Sequence, residues 1–287
     1  MNFISSALSS NSSAARPNGN YAEIQDRCRE CAEIILENIR NDQRAEDAEK
    51  TLYRDRLGAS ETIRRFPMPT LKRDAPYIWV TWITKLLVGK ECCLWAAWFK
   101  SHYKDYAKAP SDFDALSWNI KHTVLLDTIA TQYAHRFDRV QREHQNSFNY
   151  HGSSGAILSG KPDLIGITGN EMRICDAKTG QKQDEHWAQM MLYMYFYPRC
   201  FPQAFKDMNI VGELCYGDGT KQEVYMDEFD DTFRGQVMKV LQALSSTEPP
   251  PTVPSSTECG YCHITNVDCL DRLEAAPLST QVELGEF

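Results

Sequence analysis

Two aspartates and a lysine in the middle of the chain have the types and spacing for metal-dependent hydrolysis. Asp163 follows Gly160-Lys-Pro, and Asp176 stands two residues before Lys178. In an extended strand Asp176 and Lys178 point to one face, and the carbonyl of Ala177 stays free nearby. Carboxylates and a carbonyl suit Mg²⁺ or Mn²⁺, and an adjacent ammonium offsets charge developing on a phosphate. The group predicts phosphodiester hydrolysis; the alternative is that both acids are ordinary turn or edge-strand residues.

A β-hairpin and a helix must bring these residues together. An apolar run, a turn and a second apolar run between Asp163 and Asp176 predict the hairpin. Residues 184–195 contain no Gly or Pro, and their apolar positions recur with helical spacing, which predicts a helix with a buried stripe. Gln189 and Tyr193 lie four positions apart and therefore share a face of this helix. The stripe consists of Trp187, Met190, Met191 and Met194.

Some of the ten cysteines form a second set with metal-ligand spacing. Cys259 and Cys262 form a Cys-x-x-Cys motif, and Cys269 follows closely. Three such cysteines after a proline-rich linker, with another cysteine upstream, are typical of a zinc site or an iron–sulfur cluster. A further Cys-x-x-Cys, at Cys28 and Cys31, fits either a buried helical stripe or half of a zinc site.

Three motifs occur in one order along the chain: Gly-Lys-Pro-Asp at 160–163, Asp-Ala-Lys at 176–178 and Gln-x-x-x-Tyr at 189–193. This order resembles the PD-(D/E)xK nuclease superfamily, in its RecB-like branch. In that branch a histidine on the helix before the hairpin joins the metal ligands, and His122 has that place; the alternative is an ordinary core or surface histidine.

The resemblance implies a role for each motif residue. The implied metal ligands are His122, Asp163, Asp176 and the carbonyl of Ala177. The implied catalytic set is Asp163, Asp176, Lys178, Gln189 and Tyr193, with the last two lying along the bound DNA strand.

The cysteines resemble those of iron–sulfur members of the same branch, such as the CRISPR-associated iron–sulfur exonucleases. These proteins place one cysteine before the nuclease core and three after it. Cys93 fits the first place because Trp98 then falls where the family has an aromatic residue, and Cys92 stays open as the alternative. The resemblance implies a [4Fe–4S] cluster, with zinc as the alternative, on Cys93, Cys259, Cys262 and Cys269.

The net charge of 31 − 39 = −8 argues against a protein that merely coats DNA. It argues less against a nuclease, whose bound metal reverses the sign of the local field. No apolar run reaches the length of about 18 residues that a transmembrane helix needs. Residues 1–20 lack a secretory signal, and a cysteine-rich chain without one predicts a reducing, cytoplasmic location with thiols or metal ligands rather than disulfides.

The predicted fold is α/β, with a restriction-endonuclease-like central mixed sheet of four or five strands flanked by helices. The cysteine metal cluster would join the N- and C-terminal segments. The predicted domains are a disordered tail at 1–20, a helical segment at 21–76, the nuclease core at 77–245, a Pro-rich linker at 246–258, and the cysteine motif with an acidic tail at 259–287. The other predicted elements are strands at 77–80, 140–150, 209–215 and 221–227, a helix capped by Thr81 or Thr84, an aromatic helix after Cys92, and helices at 118–137 and 231–244.

The resemblance implies a metal-dependent DNA exonuclease that acts on single-stranded or frayed DNA. Its implied partners are DNA and proteins of DNA repair, recombination or CRISPR adaptation. Two alternatives stay open: a catalytically vestigial, zinc-stabilised DNA-binding or adaptor protein, and a restriction-like endonuclease. The intact Asp, Asp, Lys and Gln set argues against the first, and the lack of a recognisable DNA-reading motif argues against the second.

Overall fold

The computed structural model describes residues 73–106, 108–111, 113–205 and 207–273. The tail predicted at 1–20, the helical segment predicted before residue 73 and the motif of Cys28 and Cys31 lie outside the described residues. The acidic tail after residue 273 lies outside them as well. In the part of the chain that is described, no helix is long and apolar enough to cross a membrane.

Eight strands and seven α-helices follow one another along the described chain. The strands are β1 (Tyr77–Trp79), β2 (Arg139–Arg142), β3 (Phe148–His151), β4 (Ile157–Gly160), β5 (Leu164–Thr168), β6 (Glu171–Lys178), β7 (Asn209–Tyr216) and β8 (Lys221–Tyr225). The helices are α1 (Val80–Leu87), α2 (Leu94–His102), α3 (Ala115–Arg136), α4 (Asp184–Cys200), α5 (Pro202–Phe205), α6 (Asp231–Ser245) and α7 (Ser256–Tyr261).

The central sheet has five strands in the order β2-β5-β6-β7-β8. The β5–β6 hairpin is antiparallel, with Leu164 opposite Cys175, whereas β6 and β7 run parallel, with Lys178 opposite Tyr216. The predicted mixed sheet and its hairpin are therefore confirmed. A second sheet of three strands, in the order β1-β4-β3, was not predicted.

The single strand predicted at 140–150 is wrong. The chain forms β2, turns through a 3₁₀ segment at Glu143–Gln145, and enters the other sheet as β3. The buried side chain of Asn146 fixes this turn, because its amide donates hydrogen bonds of 3.1 Å to the carbonyls of Gln141 and Pro162. A hydrophobic pattern cannot reveal a strand break that depends on one buried amide.

Helices cover both faces of the central sheet. On one face, α3 packs Leu126, Ile129 and Tyr133 against Leu164 and Cys175. On the other face, α4 packs its predicted stripe, all four residues of which are buried. Gly212 permits this close approach, because a Cβ at that position would overlap the side chains of Met190 and Met194.

Several predicted ends are shifted by local capping. Helix α1 starts directly after β1 without a side-chain cap, so neither Thr81 nor Thr84 caps it, and Thr84 is buried inside the helix. Helix α3 starts three residues earlier than predicted, because Asp114 Oδ1 accepts a hydrogen bond of 3.0 Å from the amide of Ser117. Strand β8 ends at Tyr225, and the last residues of the predicted linker already belong to α7.

A buried ion-pair network lies beneath α3. Arg173 Nη1 stands 3.7 Å from Glu213 Oε1 and also pairs with Glu223, while the hydroxyl of Tyr133 donates to Glu213 Oε2 at 2.7 Å. We expect Arg173→Met to lower the free energy of unfolding by about 3 kcal/mol or more, because it leaves the buried Glu213 charge with only the partly exposed Lys221 as a cation, 3.7 Å away. Urea unfolding measures this change. Adding Glu213→Leu should restore most of the loss, and a double variant as unstable as the single one would contradict this account.

His102 makes stability depend on pH. The ring is buried, stacks on Trp98 at 4.5 Å and contacts the Leu244 carbonyl through Nε2 at 3.0 Å. A carbonyl only accepts, so the neutral ring donates from Nε2. Burial lowers the pKa of His102 below its ordinary value of 6.5. The folded state therefore binds fewer protons than the unfolded state, and this contribution to stability is present above about pH 6.5 and is lost as the pH falls.

A His102→Gln variant tests this pH dependence. Glutamine can still donate to Leu244 but does not titrate. We expect the melting temperature of the wild type to fall more than that of the variant between about pH 8 and about pH 5.5, a range that spans the ordinary pKa of histidine. Equal decreases in the two proteins would show that His102 is not responsible.

Candidate metal centre at the open end of the hairpin

Asp163 sits immediately before β5 and is held from two sides. Its Oδ2 accepts a hydrogen bond of 2.7 Å from the amide of Ala177 on β6. The same oxygen lies 3.3 Å from Nε2 of His122, which reaches in from α3. The hydrogen bond with Asp163 raises the pKa of His122. The structure thus brings together the predicted ligands His122 and Asp163, and the contact of Ala177 with them is made by its amide rather than by the carbonyl predicted as a ligand.

Asp176 lies on the face of β6 that meets α4. Its Oδ1 accepts a hydrogen bond of 3.3 Å from Nε2 of Gln189. The ammonium of Lys178 is in ion-pair contact with the buried Oδ2. Burial raises the pKa of Asp176.

Gln189 and Tyr193 connect the lysine to the acids. Lys178 Nζ donates to Gln189 Oε1 at 2.9 Å, and Gln189 Nε2 donates to the Tyr193 hydroxyl at 2.9 Å. Tyr193 in turn reaches the carbonyl of Lys161 at 3.4 Å. Both α4 residues are buried, and burial raises the pKa of Tyr193. Gln189 therefore contacts Asp176 and Lys178 directly, and Tyr193 is connected to them through Gln189.

These residues fit a hard divalent cation. Burial raises the pKa of Asp176 although Lys178 is in contact with it, so its charged form is not fully compensated in the metal-free fold. Asp163 contributes a second buried carboxylate and His122 an imidazole nitrogen. Oxygen-rich sets of this kind suit Mg²⁺ or Mn²⁺.

Two residues near the site were missed from the sequence. Glu143, in the 3₁₀ turn after β2, brings a carboxylate oxygen within 4.8 Å of ligand atoms of His122 and Asp163. His186, in the first turn of α4, has its pKa lowered to about 4 by burial and by Lys178, so it is neutral at neutral pH. Neither belongs to the recognised motifs, and no spacing in the sequence marks them.

A second group of close ligand atoms lies on the α3 side of the sheet. Cys175 and Cys215 have their sulfur atoms 3.4 Å apart, and Glu213 completes the buried group. Burial raises the pKa of Cys175 well above its ordinary value, which favours the neutral thiol. The group has ligand types that can bind a metal, but Glu213 is already engaged by Tyr133 and Arg173.

The four cysteines predicted as a set line one small cavity. This cavity of about 90 Å³ is bounded by Cys93, Cys259, Cys262 and Cys269, together with the basic side chains of Lys100 and Arg272. Cys93 is a free thiol, whereas Cys92 is disulfide-bonded, contrary to the expectation that the chain lacks disulfides. Burial raises the pKa of Cys93, and it raises the pKa of Cys269 to about 11.

Hydrogen bonds join the C-terminal segment to α2. The Glu258 carboxylate accepts bonds of 3.1 and 3.0 Å from the amides of Cys92 and Cys93, and the Trp98 indole donates to the Ser246 carbonyl at 2.8 Å. Within the described ranges, these hydrogen bonds join the C-terminal segment to α2. In this part of the chain, a metal cluster that joins the two is not shown.

Comparison with known proteins gives a family match and a distant structural match. The family model described as "PD-(D/E)XK nuclease superfamily" matches residues 93–267, which is more than half of the 287-residue chain. Among solved structures, the chain is similar to "Crystal structure of SSO0001", with 18% identity, a TM-score of 0.41, and coverage of 80% of this chain and 98% of that chain. No conclusion rests on so distant a likeness. Among curated proteins, no relative matches. With its two acids and lysine at the open end of the hairpin and its family match, the chain belongs to the PD-(D/E)XK nuclease superfamily.

Proposed function

We propose that this protein is a metal-dependent DNA exonuclease of the RecB-like branch, acting on single-stranded or frayed DNA. The observation that carries the proposal is the meeting of Asp163, Asp176 and Lys178 at one end of the sheet, with Lys178 in ion-pair contact with the buried Asp176. Membership of the superfamily supports a metal-dependent nuclease and a nucleic-acid substrate.

Each residue has a distinct role in this proposal. His122, Asp163, Asp176 and the Ala177 carbonyl hold Mg²⁺ or Mn²⁺. When bound, the cation supplies Lewis acidity that polarises the phosphate and acidifies an attacking water. Lys178 donates hydrogen bonds to that water or to a phosphate oxygen.

Gln189 and Tyr193 act as positioning residues rather than as direct DNA contacts. Gln189 has its oxygen on the Lys178 ammonium and its amide nitrogen near both Asp176 and the Tyr193 hydroxyl. Because its oxygen and its nitrogen both form hydrogen bonds, the Gln189 side chain keeps Lys178 beside the Asp176 carboxylate. This differs from the role along the DNA strand that the family resemblance implies.

The proposal includes a [4Fe–4S] cluster on Cys93, Cys259, Cys262 and Cys269. The position of all four cysteines around one small cavity supports it.

Degradation of labelled DNA tests the function. We expect the purified protein with Mg²⁺ or Mn²⁺ to degrade linear single-stranded DNA and to leave circular single-stranded DNA intact, and we expect EDTA to stop the reaction. Cutting of the circle would identify an endonuclease instead. Asp163→Ala and Lys178→Ala should each abolish cleavage while circular dichroism stays native. Cleavage at the wild-type rate by both variants would place the active site elsewhere.

A further inference from the structure

Helix α3 extends beyond the sheet that it covers. It has 22 residues, and its first buried residue is His122; the seven residues before it are all exposed. At 1.5 Å per residue this exposed part is about 10 Å long. It therefore projects past the end of the sheet on the side where His122 meets Asp163.

Trp118 lies on this projecting part and stacks on His122. The two ring centroids are 4.8 Å apart and the ring planes differ by 18°. His122 contacts Asp163 directly, so the indole is separated from the candidate metal centre by one imidazole ring. Trp118 remains 41% exposed, and Phe113, with its centroid 6.2 Å away, is 62% exposed. Two aromatic rings thus face solvent next to the acids.

A groove runs along the flank of the same helix. Its volume is about 550 Å³, and its walls include Lys121 on α3 and Lys221 at the start of β8. It also contacts Thr179, the residue after Lys178, and Tyr216, the residue opposite Lys178 on β7. The groove therefore passes next to the strand positions that flank the proposed catalytic lysine, and two lysines line it, of which Lys221 is also paired with Glu213.

We propose that Trp118 stacks on a base of the single-stranded substrate next to the scissile phosphate, while the groove beside α3 receives the sugar–phosphate backbone. This inference rests on the proposed function and specifies how the same site selects unpaired DNA. Aromatic stacking is open to any unpaired base, whereas bases in a duplex are already stacked on their neighbours. A basic groove beside an exposed aromatic ring is the combination that sequence-independent binding of single strands uses.

Binding measurements with an inactive parent test the proposal. The parent is Lys178→Ala, which keeps the acids, and the probe is fluorescein-labelled oligothymidine of about twelve nucleotides, within the range of known single-strand sites. We expect Trp118→Ala in this parent to weaken binding by between about fivefold and a hundredfold, the range of one base stacked on an aromatic residue. Trp118→Phe should retain most of the affinity.

Phe201→Ala is the matched control. Phe201 is 39% exposed, close to the value for Trp118, but it lies at the far end of α4 from Gln189. Its removal should leave oligothymidine binding unchanged. Binding of blunt duplex DNA should be insensitive to Trp118→Ala. Unchanged oligothymidine binding by Trp118→Ala, or equal losses for single-stranded and duplex DNA, would overturn the proposal.

An abasic probe identifies the stacked base. The abasic probe is an oligothymidine without the base next to the scissile phosphate. It should bind the parent as weakly as the intact probe binds the Trp118→Ala variant. The Trp118→Ala variant should bind the abasic probe and the intact probe equally. A full additional loss in the variant would show that Trp118 contacts something else.

The failure of the stacking proposal is distinguishable from failure of the proposed function. If the parent binds oligothymidine and the wild type degrades it, but Trp118→Ala binds normally, only the stacking proposal falls. If the parent does not bind and the wild type does not degrade the probe, both fall. Manganese-induced thermal stabilisation should persist in Trp118→Ala, which shows that His122 is still in place.

Discussion

Asp176→Asn is expected to reduce DNA cleavage by at least about a thousandfold while leaving the metal-free protein at least as stable as the wild type. Activity should fall because the variant loses one of the two carboxylates proposed to hold the cation. Stability is preserved because the lost charge is a burden in the metal-free fold. Burial raises the pKa of Asp176 even though Lys178 is in ion-pair contact with its Oδ2. A variant that was both inactive and strongly destabilised would contradict this view of the site.

Metal binding gives a readout that does not depend on cleavage. A ligand present at a hundred times its dissociation constant stabilises a folded protein by about 2.7 kcal/mol. Mn²⁺ should therefore raise the melting temperature of the wild type and have no such effect on Asp176→Asn. Asp227→Asn removes the same charge from an exposed turn and should behave as the wild type does. Equal stabilisation of all three proteins by Mn²⁺ would place the cation elsewhere.

Cys262→Ser is expected to remove the proposed metal centre and to destabilise the whole protein. The wild type, purified without oxygen, should be brown and contain iron and sulfide, because thiolate-to-iron charge transfer colours such clusters and zinc is colourless. Metal sites that join distant segments contribute folding free energy on the order of 10 kcal/mol. The colourless variant should therefore melt at a much lower temperature or fail to fold.

Cys200→Ser provides the matched control for the cysteine substitution. Cys200 is a free, half-buried thiol at the end of α4 and does not line the cysteine cavity. This variant should keep the colour, the iron content and the melting temperature of the wild type. Colourless wild-type protein with stoichiometric zinc would replace the cluster by a zinc site. A wild type without bound metal would refute both.

The sequence was sufficient for the elements whose signal is local. The hairpin between Asp163 and Asp176 and the stripe on α4 follow from alternation and helical spacing, and the structure has both. The break between β2 and β3 was not predictable, because it depends on where the Asn146 amide finds two carbonyls in the folded chain. The sequence shows an asparagine there but not its partners.

The candidate site was predictable to the same extent. Asp163, Asp176 and Lys178 belong to motifs with fixed spacing, and the fold brings them together. Glu143 approaches Asp163 only because the chain turns through a 3₁₀ segment at that point. Trp118 is exposed beside the site because α3 projects past the sheet. Helical periodicity in the sequence does not show where the sheet ends.

The bonds from Glu258 to the amides of Cys92 and Cys93 also affect the order in which the chain can fold. They join residues 166 and 165 positions apart. Closing so long a loop loses entropy before any contact is gained, so such contacts form late in folding. The strands of the central sheet and helices α3 and α4 all lie before residue 246, so they can form first. The amides at the start of helix α2 would bind the Glu258 carboxylate only after the last described segment has been synthesised and has folded back.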